Sequence, residues 1–211
     1  MAVIDGLVAR LRAALGEPLV KSLRRRLRAA SPAALSELRE GLHCRIAGSV
    51  RALDSVTLEA PLSGERCVAY LFEVVELSVE RDLLVYDKRA IPFMLADGDA
   101  HHAVIDPSHV ELLVTGAQKL TSRYFQIEPQ QRALLDRYCP DRLSWDMMGK
   151  LAFREVLVKL GDRVSIAGTG HREADPLARR ERGFRDHVQR LRLVGSQQLP
   201  LLIGDEVRRR R

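Results

Sequence analysis

The sequence predicts a mainly β, α+β chain: a bent antiparallel sheet or β-barrel-like module with an N-terminal helical arm and one or two helical inserts. Three observations carry that expectation. Apolar residues recur every four positions in the first thirty residues and every two thereafter. The later apolar runs are short and are separated by Gly, Pro and Asp turn signals. One run changes phase halfway along its length, as a β-bulge would make it do.

The elements follow in order. Val3, Leu7, Leu11, Leu15, Leu19, Leu23 and Leu27 are spaced by four. Each such step drifts about 40° on an α-helix, so the stripe cannot serve one long rod. Gly16-Glu17-Pro18 supplies a break, giving helices over 3–15 and 18–29. Ser31 followed by Pro32 predicts a third, short helix running to about Arg39 and ending at Gly41. Then Cys44, Ile46, Gly48 and Val50 alternate with polar or small residues, as in a half-buried strand. Val56 and Leu58 open another strand, and Ser63-Gly64 is a turn. Val68, Tyr70, Phe72 and Val74 share one face, and Val75, Leu77 and Val79 take the opposite phase, which predicts a bulge at a barrel corner. Strands are expected near 82–86, 91–96, 102–105 and 109–115, with Asp97-Gly98 as a turn. Pro129 to Tyr138 reads as a helix with Leu134 and Leu135 inward. Val164 with Ile166, Leu191 with Leu193, and Leu199 to Ile203 complete the strands. The divisions are an amphipathic basic arm at 1–41, a β-rich domain at 42–205 and a basic tail at 206–211.

The 211 residues suffice for a core without disulfides or metal. Three widely spaced cysteines, Cys44, Cys67 and Cys139, do not make a secreted disulfide framework; reduced thiols fit better. No apolar run approaches the ~18 residues of a spanning helix. The N-terminus lacks the basic start of a signal peptide, and Asp5 and Glu17 count against a transit peptide. A cytoplasmic chain, peripheral to a membrane, is the expected location. Net charge is +6, distributed as +4 over 1–40, −3 over 41–170 and +5 over 171–211. The basic excess therefore belongs to the ends, which suits an anionic partner there or merely solvated helix faces. An acidic body with 5% aromatics argues against nucleic acid on the barrel.

Signals for chemistry are weak. His101 and His102 are adjacent, so a strand would point them to opposite faces. A metal site from Cys44, Cys67, His102 and His109 is the best that can be assembled, without the spacing a zinc site uses. Cys67 opens a strand after a turn, where a free thiol is usually a small buried hydrophobe. Gly168-Thr169-Gly170 lacks the Lys-Ser/Thr of a phosphate loop. Glu73, Glu76, Glu111 and Glu155 are scattered and nothing pairs them for acid–base work.

Four blocks in order resemble one family. Ala60-Pro61-Leu62-Ser63-Gly64-Glu65-Arg66-Cys67-Val68-Ala69-Tyr70, running on to Val74-Val75-Glu76, is similar to the opening of the GIDE domain, also called BAM for "beside a membrane". Pro92 to Gly98 followed by Ala103 to Pro107 resembles its "PF-x-L-x-D … V-x-P" segment. Arg154 to Gly168 resembles "E-x-x-L-x-x-G-D-x-V-x-V-x-G", and Leu199 to Asp205 is similar to the terminal "P-L-x-I-S-D". The resemblance implies a compact β-rich module of bacterial type working near a membrane. Its motif residues here are Pro61, Gly64, Cys67, Tyr70, Phe93, Asp97, Pro107, Glu155, Gly161, Asp162 and Gly168, which also read as turn and core positions. Some eukaryotic members add a zinc RING that gives ubiquitin ligase activity; this chain has no RING ligand set and no spanning helix. No catalytic residue and no cofactor is implied.

The resulting expectation is a non-enzymatic binding or scaffold module at a membrane surface. Lys21, Arg24, Arg25, Arg26 and Arg28, helped by Arg208–Arg211, would meet anionic headgroups or a membrane protein. The alternative is a soluble protein–protein module whose helical arm docks on the body or pairs in a homo-oligomer. An enzyme using Cys67 is a third and weaker reading.

Overall fold

The structure is a computed structural model that describes residues 18–77, 83–98, 101–115, 118–123, 126–140, 149–174 and 189–206. Residues 18–29 form helix α1. The strands are β1 (His43–Ala52), β2 (Leu58–Glu59), β3 (Arg66–Cys67), β4 (Ala69–Leu77), β5 (Leu83–Ala90), β6 (Phe93–Asp97), β7 (His101–Asp106), β8 (Val110–Leu112) and β9 (Gln118–Arg123). Helix α2 (Pro129–Tyr138) precedes β10 (Lys150–Val158), β11 (Arg163–Ala174), β12 (Gln189–Val194) and β13 (Leu201–Asp205).

Strands β1-β6-β7-β12-β11 close on themselves through the β1–β11 pairing, giving a five-stranded barrel. The antiparallel pairing that the sequence predicts holds at four of the five barrel seams, and β12 runs parallel to β7 at the fifth. An odd number of strands forces this, because alternating up and down round five strands leaves two neighbours pointing the same way. Taken in chain order the strands circle as first, second, third, fifth, fourth, a Greek-key barrel of the OB type. Strand β13 extends the sheet from β11 and pairs in parallel with β8.

The two long excursions from the barrel pair with each other. One contributes β4 and β5 and the other β9 and β10, forming a second sheet in the order β5-β4-β10-β9. One face of β4 and β10 sends Ala69, Leu71, Val156 and Val158 into the barrel core. The other face packs Tyr70, Phe72, Val74, Leu151 and Phe153 against Leu134 and Leu135 of α2. Both faces are covered, so β4 is apolar almost throughout and shows no clean alternation. Phe72, Phe93 and Phe153 are fully buried, each worth about 1.5–3 kcal/mol of transfer free energy.

The predicted bulge exists, as a register shift between Val74 and Val75. It lies in the second sheet between β4 and β5, not at a barrel corner. The third helix is corrected to a three-residue 3-10 turn, Leu35–Glu37. Its first residues are drawn to the edge of β1 instead: Pro32 bridges to Arg45, the Arg45 N–H donates to the Ser31 carbonyl, and the Ala33 N–H donates to that of Arg45. Leu35 and Leu38 then fill the barrel core, with Leu38 lying against Gly170 of β11. Strand β1 buries Cys44, Ile46, Gly48 and Val50, as its alternation predicts.

Candidate functional site

Helix α1 lies on the outside of the barrel. Leu23 and Leu27 are buried against Leu113, Ala167 and Leu202, with Val20 and Ala30 alongside. The contact is close: a Cβ on Gly204 would sit 2.6 Å from Leu27 Cδ2, so that side chain would have to shift. Arg45 of β1 donates to the carbonyls of Leu27 at 3.2 Å and Arg28 at 2.7 Å. That satisfies orphan carbonyls at the helix C-terminus and places a cation at the negative end of its dipole. Arg24 reaches inward to the Leu113 carbonyl at 3.3 Å. Arg26 lies to the side near His43, whose pKa is lowered first by burial and then by this guanidinium.

What remains outward is Lys21, Arg25 and Arg28, all exposed and spaced i, i+4, i+7. Of the five basic residues expected at an anionic surface, three share the outward face, Arg24 is turned to the barrel and Arg26 flanks it. Leu7, Leu11, Leu15 and Arg208–Arg211 lie outside the described residues. In residues 18–29 the barrel covers Leu23 and Leu27, with Val20 alongside, while Leu19 is 36% exposed.

The residues of the four sequence blocks gather mainly where the second sheet joins the barrel. Glu155, on β10, is buried and accepts backbone N–H groups from Leu62 at 2.7 Å and Ser63 at 3.1 Å. Gln130 of α2 donates to the Leu62 carbonyl at 3.1 Å, so the loop after Pro61 is held from two sides. Gly64 and Gly161 take positive φ values of 70° and 87° at their turns. Asp162 accepts the Lys159 N–H at 2.8 Å, and Asp205 accepts the Thr115 N–H and hydroxyl, the latter at 2.6 Å. Gly168 sits in the middle of β11, where a Cβ would come within 3.0 Å of Leu201, Leu193 and the Val194 carbonyl. Cys67, Tyr70 and Phe93 are core residues, Asp97 and Gly98 end β6 in a turn, and Pro107 is buried at the turn into β8.

A cleft of about 330 Å³ lies at this junction, lined by Glu65, Glu155, Lys159, Asp162, Arg163 and Asp205 among others. Its charges are engaged with the protein itself: Lys159 with Glu65 at 2.8 Å, Arg163 with Glu206 at 3.0 Å, and the carboxylates of Glu155, Asp162 and Asp205 with backbone donors. These groups cap turns, and that is the chemistry the arrangement supports.

The thiols and imidazoles do not assemble. Cys44 is in the barrel core, while Cys67 and Cys139 are in the core beneath α2. His101, His102 and His109 are exposed. Among the described residues no three His, Cys, Asp or Glu side chains converge as a metal ion needs. Burial, then Glu155 and Glu65, push the Cys67 thiol up to about 11, the wrong direction for a nucleophile. Gly168-Thr169-Gly170 is strand, not a loop around phosphate.

Sequence reasoning missed a second basic surface. In the register of β9 and β10, Arg123 is opposite Lys150 and Lys119 is opposite Arg154. The signal was present as Lys119-x-Thr121-x-Arg123 and Lys150-x-Ala152-x-Arg154, two period-two patterns of equal length. Neither segment reads as a strand from its sequence, and their alignment appears only in the register of the sheet.

Among the described residues no helix is long and apolar enough to cross a membrane. No family model matches the chain, and no curated protein matches it.

Proposed function

We propose that this chain is a non-enzymatic binding module that rests on an anionic membrane surface through the outward face of α1. The observation that carries the reading is the division of that helix. Leu23 and Leu27 are committed to the barrel, and Lys21, Arg25 and Arg28 face away from it. A helix so divided meets a surface chiefly by charge and keeps Leu23 and Leu27 out of it. Each cation near an anionic leaflet contributes about 1 kcal/mol. The likeness of four sequence blocks to the GIDE, or beside-a-membrane, domain supports the same reading.

The test is flotation of the full chain with vesicles of phosphatidylcholine alone and with added phosphatidylglycerol. The wild type floats only with the anionic lipid, and K21Q/R25Q/R28Q weakens binding about tenfold or more. Equal flotation of the variant sinks the assignment of this face. A second reading, a protein–protein module, draws on the same docked helix, since Leu23 and Leu27 packing on the barrel is how an arm would dock on its own body.

A further inference from the structure

We propose that the face of the second sheet built by β9 and β10 is a second docking surface for the phosphate groups of an anionic lipid bilayer. The inference rests on the membrane-surface reading but concerns different residues.

Lys119 and Arg123 are four residues apart on β9, and Arg154 and Lys150 four apart on β10, so all four side chains project from one face. Directly opposite residues in an antiparallel pair have Cβ atoms about 4.5–5.5 Å apart, and like charges so placed are destabilising. Here two same-face pairs, Arg123–Lys150 and Lys119–Arg154, are cation against cation, with Thr121–Ala152 between them. Glu73 of β4 bonds Arg154 at 2.8 Å. The Arg123–Lys150 end borders a shallow cleft of about 320 Å³ that is also lined by Thr121, Ser122 and Gln126. Two cations surrounded by hydroxyl and amide donors is the chemistry that receives an oxyanion.

The neighbouring rows choose the source of that oxyanion. Lys150 is opposite Leu77 on β4, which is 42% exposed, and Ala152 is opposite half-buried Val75. Cations beside exposed aliphatic groups suit a headgroup region, which accepts both. Bases of a nucleic acid would call for aromatic platforms, and none stands on this face of β9, β10 or β4. The acidic total of residues 41–170 conceals this face because carboxylates elsewhere outnumber its four charges.

The test uses the full chain and the variant K119Q/K150Q, which leaves the Arg154–Glu73 pair intact. Binding is measured to phosphatidylcholine vesicles with and without phosphatidylglycerol, and to a single-stranded oligonucleotide. The expected result is about a tenfold or greater loss of affinity for the anionic vesicles, with K119R/K150R restoring it. Wild-type affinity in K119Q/K150Q overturns the inference, and if K21Q/R25Q/R28Q alone then loses binding, the α1 reading survives it. Wild-type chain that ignores both vesicles overturns both. Oligonucleotide binding that depends on Lys119 and Lys150, with no response to vesicles, also overturns the inference.

Discussion

Glu155 and Leu62 are 93 residues apart in sequence and joined by a 2.7 Å hydrogen bond from the Leu62 backbone N–H to a buried carboxylate oxygen. The same carboxylate takes the Ser63 N–H. A loop peptide in an interior has few sources of acceptors, and an acidic side chain on the central strand of the second sheet supplies two. Glu155→Ala leaves both N–H groups without an acceptor, at about 1–3 kcal/mol each. Glu155→Gln retains one acceptor oxygen and loses less. Urea denaturation should rank wild type above Gln and Gln above Ala; an Ala variant as stable as the wild type contradicts this role.

Two glycines separate steric from conformational need. A Cβ on Gly170 would lie 2.3 Å from the Arg39 carbonyl oxygen and 2.9 Å from Leu38. Gly170→Ala must displace backbone where the 31–42 segment closes on the barrel, and should cost about 3 kcal/mol. Gly98 has open space around it but a φ of +68°, so Gly98→Ala carries only the left-handed penalty of about 1 kcal/mol. Thermal unfolding of the pair should show the larger loss at Gly170.

His43 reports on the docking of α1. Its folded-state pKa lies below the ordinary 6.5 because burial, and then Arg26, disfavour the imidazolium. A depressed pKa means that the unfolded chain binds the proton more readily. The stability contributed is full above the ordinary value and is lost as pH falls from there through the folded-state pKa. Arg26→Gln should move the His43 titration upward in an NMR pH series, and His43→Gln should flatten the decline of stability on that acid side. An unmoved His43 titration in Arg26→Gln would mean that α1 is not held beside β1.

How far the sequence foretold this depends on which faces of each strand are covered. Strand β1 buries one face, so Cys44, Ile46 and Val50 could be read at a period of two. Strand β10 alternates only over Lys150–Arg154 and is covered on both faces from Glu155 onward, so its signal is too short to stand out, while β9 is a polar edge strand. Pro32 read as a helix start because nothing local reveals that Arg45 pairs with its neighbours. At the candidate site, helical periodicity suffices to group Lys21, Arg25 and Arg28. It cannot tell that Arg24 turns inward, because the Leu113 carbonyl is 89 residues away. The β9–β10 face needed a strand register, which no count of charges contains.

The three cysteines are buried, and the Cys67 thiol is pushed up to about 11 by burial first and then by Glu155 and Glu65. A thiol reagent at neutral pH should find none of them in the folded chain and all three after unfolding. Rapid native-state labelling of Cys67 would revive a catalytic thiol and contradict its place in the core.

The most direct test of the membrane reading is the salt dependence of vesicle binding by the intact chain. With vesicles of phosphatidylcholine and phosphatidylglycerol, affinity should be measurable at low ionic strength. It should fall steeply as the Debye length shrinks from about 10 Å toward about 3 Å. Binding that is absent at low salt, or that is unchanged by salt and by the removal of the anionic lipid, would contradict the account.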